Sequence, residues 1–245
     1  DTATTPGGTT EEPSEPSTPS EPSRPSHTHT YVDGVCTAGD AYDPTWAQVN
    51  SAETWNAAVA AGQDIVLTAD FTADAQLQIT TGITVNGNNH IITAGTWTDE
   101  HPDSKGDAHL VSVNAGANEV VIKNITLTGA QHISNDYASG MSVYESSNVT
   151  LNNVTLQNNA GAGLIVNGST VNATALHTSG NEWGGVNVDK GTNVTDETTF
   201  TFDATSTFAE TAKVYSDNGG VTVNAPEGWA CVQVEGKYVW SNLFA

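Results

Sequence analysis

The chain has 245 residues, with 28 acidic against 6 basic ones and a formal charge of −22. That balance excludes nucleic acid as a partner, because phosphate contacts need Lys and Arg to displace counterions. It also disfavours anionic membranes and polyanionic substrates while tolerating cations such as calcium, and no apolar run nears the ~20 residues that span a bilayer.

Residues 1–30 are Thr, Pro, Ser and Glu with EPS repeats. Such a composition cannot bury enough apolar surface to offset ordering, so it reads as a disordered, extended linker. A spacer of this kind suits an exported bacterial protein held away from a wall or membrane. The expected location is therefore extracellular or at the cell surface, as a lipoprotein if an N-terminal export signal of that type precedes the chain. Residues 31–50 form a short lead-in containing Cys36, the first of two cysteines. Cys231 is the other, and their spacing does not decide whether they pair.

Residues 51–245 read as one domain with its caps. SAETWNAAVAAG (51–62) predicts a helix. Ser51 suits the N-cap, Glu53 the first turn and Gly62 the C-terminal cap, while Trp55, Ala58 and Val59 make the apolar stripe. Short strands follow at 65–67, 77–79, 83–85 and 91–92, the last two separated by an Asn-Gly turn. Residues 94–108 and 130–139 break the pattern and are expected to loop out.

The stretch 140–191 repeats itself. Met141-Ser142-Val143 returns as Leu164-Ile165-Val166 and as Val186-Asn187-Val188, in steps of 23 and 22 residues. The run 151–156 matches 122–127 upstream and 171–176 downstream. Apolar residues alternate with polar ones, which is a strand pattern, and self-similarity at this period indicates a solenoid. The fold class expected is all-β, a right-handed parallel β-helix with a short N-terminal capping helix and a C-terminal β-hairpin cap. The hairpin is placed at 229–240, turning at Glu235-Gly236, with Trp229, Val232, Val234, Tyr238 and Trp240 packing. Asn124 and Asn153 share a repeat position and should stack as an amide ladder, ending where Ala173 takes the next place.

If the apolar positions of the repeated strands point inward, Ser112, Ser142, Ile165 and Asn187 point out in a row. Segments 94–108, 130–139 and 178–183 then bring Trp97, His132, Asp136, Tyr137, Glu182 and Trp183 to one edge of that sheet. Tyr144 and Glu145 leave it on the other side. Aromatic rings with carboxylates suit a sugar chain or a protein partner. His101, His109, Asp103 and Asp107 read as a solvated acidic loop.

Two resemblances add to this reading. The stretch from Trp46 through the Trp55 helix to IVLTADFT (65–72), with NGNNHIIT (86–93), resembles the pectate-lyase-like adhesive domains of bacterial, Firmicutes-type surface proteins. That resemblance implies an exported binding or adhesion module for a glycan or host surface protein, a monomer without catalysis. Its runner-up is a polysaccharide lyase or glycoside hydrolase of the same fold. A lyase would need an Arg or Lys base, and the chain offers only Arg24 and lysines 105, 123, 190, 213 and 237, none in a recognisable lyase motif. The Asn-Thr-Asp, Asp-Asp, Gly-His-Gly and Arg-Ile-Lys elements of polygalacturonase-like enzymes are missing. HTHTYVDGVCTAGD (27–40) is similar to a small zinc-knuckle element of cell-surface proteins. His27, His29 and Cys36 match it and are the metal candidates, but Gly39 stands where a second Cys belongs. Tetrahedral zinc wants four ligands, so even with Asp40 nearby no cofactor is expected there.

Overall fold

The computed structural model describes residues 28–96, 109–131, 138–191 and 197–243. Most of residues 1–30, and Trp97, His132, Asp136 and Tyr137, lie outside the described residues.

The chain opens with a two-stranded hairpin, β1 (Tyr31–Val32) and β2 (Val35–Cys36). Asp33 and Gly34 turn it, both at positive φ (52° and 84°). This is the backbone that an Asp-Gly pair adopts at least cost. β3 (Ala47–Val49) leads to the single described helix, α1 (Ala52–Ala61). Ser51 caps it by accepting from the Thr54 amide, the Thr54 hydroxyl answers the Ser51 amide, and Gly62 closes it at φ 63°. The helix boundaries and its buried face of Trp55, Ala58 and Val59 match the sequence reading. Trp55 is fully buried and its indole N–H donates to the carbonyl of Gln78 at 3.2 Å.

The rest is strand. β4 (Ile65–Leu67), β5 (Phe71–Ala73), β6 (Leu77–Ile79), β7 (Thr84–Ala94), β8 (Val111–Val113), β9 (Val121–Thr128) and β10 (Met141–Tyr144) come first. β11 (Val149–Gln157), β12 (Ala162–Asn167), β13 (Thr170–Ser179), β14 (Gly184–Asp189), β15 (Thr199–Phe202), β16 (Thr207–Phe208), β17 (Val214–Ser216) and β18 (Thr222–Asn224) continue it. β19 (Trp229–Val234) and β20 (Lys237–Asn242) end it.

Two large sheets result. One has eight strands in the order β19-β20-β17-β14-β12-β10-β8-β6. The other has ten, with the order β18-β15-β13-β11-β9-β7-β4-β3, β5 on β7 and β16 on β13. From β6 to β15 the chain alternates between the two sheets, and the pairings within them are parallel except β17 with β20 and β20 with β19. In the eight-stranded sheet Met141 pairs with Val111 and Leu164, and Leu164 with Val186. The repeat steps of 23 and 22 residues are thus the register itself. These positions, with Val113, Val143, Val166 and Val188, are all buried. Each such Val or Leu contributes roughly 1.5–3 kcal/mol by leaving water.

The ten-stranded sheet bends in mid-strand. Asn124, Asn153 and Ala175 stand at the bend with φ of 52°, 54° and 50°, and the registers stack them. Asn153 donates its amide to Asn124 Oδ1 at 3.0 Å, and Asn124 donates to Asn86 Oδ1 at 3.1 Å. The expected ladder exists and extends one step further back than foreseen. Its other end is corrected. Leu151 pairs with Ala173, so β13 is displaced by two residues from the alignment read in the sequence, and Ala175 faces Asn153.

A second correction concerns 82–93. The Asn-Gly pair there makes no hairpin. β7 runs through it as one strand, with a register shift between Asn86 and His90 and left-handed φ at Asn88 and Asn89 (49° and 65°). Both halves of β7 pair in parallel with β9, so reversal would forfeit one ladder. A third concerns the terminal hairpin. Its turn at Glu235-Gly236 is as foreseen, but Val232, Val234 and Tyr238 are 46%, 50% and 37% exposed. Trp229 and Trp240 carry the packing, Trp229 against Phe202 and Phe208 with ring centroids at 4.9 and 5.7 Å. Cys36 is buried on β2 and Cys231 is exposed on β19.

Asp203 ties β15 to β13 by accepting from the Ala175 amide, Thr205 Oγ1 and Ser206 Oγ. Burial raises its pKa, but these hydrogen bonds outweigh burial and hold the carboxyl below the usual range. A depressed folded-state pKa stabilises above the unfolded value and is lost as pH falls. Asp203→Asn should therefore unfold more readily than the parent at pH 7 and converge with it below about pH 4, as measured by denaturant midpoints across pH. At the bend, Asn124→Ala breaks two ladder bonds and Asn153→Ala one, each in a left-handed conformation. Urea unfolding should show the first losing about 2–3 kcal/mol and the second about 1–2.

Candidate functional site

The predicted ligand-binding residues that are described fall at opposite ends of the eight-stranded sheet. Glu182 and Trp183 immediately precede β14, whereas Tyr144 ends β10 and Glu145 follows it. A strand of six residues separates such ends by about 20 Å. The structure therefore does not bring these four together into one cluster.

The upstream end is rigidly built. The buried Asn159 side chain accepts from the Ala130 amide at 3.0 Å and donates to Asn181 Oδ1 at 2.8 Å. Asn181 in turn donates to the Leu156 carbonyl and to Glu210 Oε1, at 2.9 and 2.7 Å. Glu210 also accepts from Thr178 Oγ1 at 2.6 Å. The Glu182 and Trp183 amides close on the carbonyls of Asn159 and Gly161. Gly140 and Gly163 make room for these amides. A Cβ on Gly140 would lie 2.7 Å from Asn159 Nδ2, and one on Gly163 would lie 2.9 Å from Asn181 Nδ2. On this frame Trp183 is 38% exposed and Glu182 is exposed.

The outward row is less open than its sequence suggests. Ser112, Ser142 and Asn187 lie outside the apolar core yet are only 8%, 6% and 9% exposed. They are occupied locally. Ser112 donates to Asn114 Oδ1, and Asn187 donates to Asp189 Oδ2 and Asp217 Oδ2. His109 is also corrected. It is buried, with the Ser139 amide donating to its Nδ1 at 3.2 Å, rather than solvated in an acidic loop.

The downstream end carries a groove of about 400 Å³ that sequence reasoning missed. Asn118, Glu145, Ser146, Ser147, Gly168, Thr170 and Glu197 line it. Only Glu145 was foreseen, because the lining comes from four connections that meet only through the register. Its signal would have been the Ser and Thr pairs just after β10 and β12, Ser146-Ser147 and Ser169-Thr170. Glu145 sits at φ 47° and its carbonyl accepts from the Gly116 amide. Asn118 Oδ1 accepts from the Ser147 amide and hydroxyl at 2.8 and 2.9 Å. Two carboxylates, three hydroxyls and the Asn118 amide make a polar lining, suited to sugar hydroxyls or a hard cation.

Beside this groove Tyr144, Asn167 and Asp189 share one register row. Asp189 Oδ1 accepts from Ser216 Oγ and from the amides of Asp217 and Asn218, at 2.8, 2.9 and 3.2 Å. Asp217 pairs with Lys237 at 2.8 Å, and Lys237 lies 5.1 Å from the Tyr215 ring centre. Burial, then the carboxylates of Asp217 and Asp189, pushes the Tyr215 phenol well up.

At the other end of the chain, His29, Cys36 and Asp40 present donor atoms all within 4.8 Å of one another. Of the metal candidates, His29 and Cys36 are thus together, and His27 lies outside the described residues. Compared with family models, curated proteins and solved structures, the chain has no match.

Asp189→Ala strands two backbone donors and a hydroxyl, and should cost about 2–3 kcal/mol in denaturant unfolding, with Asp189→Asn costing less.

Proposed function

We propose that the two sheets are walls of a right-handed parallel β-helix, plugged by α1 at one end and by the β19–β20 hairpin at the other. Parallel registers advancing by 22 and 23 residues, with the chain alternating between sheets, support that architecture. On it we place an exported bacterial surface module that binds a glycan or host surface protein as a monomer, without catalysis. The observation that carries this reading is Trp183, an indole held half-open on a hydrogen-bonded frame beside the exposed Glu182. An exposed ring on an anchored backbone can stack on a sugar face or fill a partner's pocket.

Charge and composition agree with it. Lys123 pairs with Asp33, Lys237 with Asp217, and Lys213 donates to the Phe208 carbonyl, so these three lysines are engaged in structural contacts. No described helix is long and apolar enough to cross a membrane. Calcium, if it takes part, has the polar groove at Glu145 and Glu197 as its natural place.

Glycan arrays and panels of immobilised host surface proteins should identify a ligand. Trp183→Ala should weaken its binding by about tenfold or more, with unfolding unchanged. Binding that is indifferent to Trp183→Ala but lost in Glu145→Gln would move the site to the downstream groove. Release of unsaturated uronides or reducing ends from a polysaccharide would replace binding by catalysis.

A further inference from the structure

The hairpin β1–β2 assembles a set of donors that the binding reading does not use. Its ladder pairs Tyr31 with Cys36, and beyond it the Thr37 amide donates to the Thr30 carbonyl at 2.8 Å. His29 is thereby carried alongside Cys36. A tight turn with Gly39 at φ 73°, closed by its amide on the Cys36 carbonyl at 2.7 Å, then folds Asp40 back onto the same spot. His29 Nδ1 lies 3.3 Å from Cys36 Sγ and 3.5 Å from Asp40 Oδ1. Cys36 is 3% exposed, the Asp40 side chain 6%, and the His29 side chain 40%.

We infer that His29, Cys36 and Asp40 supply three donors of a site for a borderline divalent metal of the zinc class. The spacings fit this chemistry. With Zn–S near 2.3 Å and Zn–N or Zn–O near 2.0–2.1 Å, the edges of a tetrahedron are about 3.6 Å for sulfur to nitrogen and about 3.4 Å for nitrogen to oxygen. The two measured separations match these edges to a few tenths of an ångström. The donor types select the metal. One thiolate, one imidazole and one carboxylate suit zinc or cobalt, whereas calcium and magnesium want oxygen throughout. Asp40 supplies the third donor from one position beyond Gly39, the place where the knuckle-like pattern lacks its cysteine.

The other thiol is a built-in control. Cys231 lies on β19, outside the His29, Cys36 and Asp40 cluster. The ligating thiol of Cys36 must lose its proton, so metal uptake should release protons and strengthen as pH rises.

The test is a cobalt(II) titration of the full chain without an affinity tag. A thiolate-to-cobalt charge-transfer band should saturate at one equivalent and vanish when zinc is added. Cys36→Ser should abolish that band, Asp40→Asn should weaken binding by more than about tenfold, and Cys231→Ser should leave both unchanged. Circular dichroism of each variant checks that the sheets are intact. Absence of a charge-transfer band, its survival in Cys36→Ser, its loss in Cys231→Ser, or indifference to Asp40→Asn would each overturn the three-donor site.

Discussion

Parallel strands in this protein stay in register only because the chain can turn left-handed at the same place in successive layers. Asn124, Asn153 and Ala175 stack at one bend, and Gly129, Asn158 and Gly180 at the next corner, all with positive φ. That backbone is costly for most side chains and cheapest for Gly and Asn. Asparagine does more than tolerate it. Its amide both donates and accepts, so each layer binds the next through Asn153, Asn124 and Asn86. Shifting any layer by one residue would break the ladder and turn the apolar set outward together.

The same register assembles the polar frame at the start of the eight-stranded sheet. Asn159 and Asn181 occupy equivalent corners, and glycines 140 and 163 make space for their amides. Buried amides that meet all their partners hold geometry more firmly than apolar packing does. Trp183 therefore projects from a fixed base, while the polar groove at the far end grows out of serine and threonine turns.

Much of this was legible in sequence, for reasons that differ by element. The eight-stranded sheet could be aligned because Val143, Val166 and Val188 occupy the same place in short strands with nothing inserted between. α1 was legible from Ser51, Gly62 and its three apolar residues. The bent sheet was harder. Asn172 imitated the Asn152 position and drew the alignment of β13 two residues off, and Ala175 hid a left-handed site behind a residue that seldom takes it. The Asn-Gly pair at 86–87 looked like a reversal because a local turn signal says nothing about the parallel partners on either side. The candidate site was legible only in pieces. Trp183 and Glu145 stood out as residue types, but their separation along β14 and β10 depends on the sheet, and the groove depends on four connections. The approach of Asp40 to His29 required the turn at Gly39, which has no periodicity to betray it.

The attachment of the β1–β2 hairpin has a mechanical consequence. Its two-residue strands pair with each other, and β2 adds one antiparallel bridge from Val35 to Tyr42. The hairpin is tied to the ten-stranded sheet mainly near its tip, where Asp33 meets Lys123 and its carbonyl accepts from Asn86. Tension arriving along the chain at residue 28 reaches β1 first and peels it from β2 one pair at a time, before any load passes through Asp33 to the long parallel ladders. Those ladders hold their strands through many hydrogen bonds at once. The hairpin thus acts as a fuse in series with the sheets, yielding length at low force while the body of the protein keeps its shape.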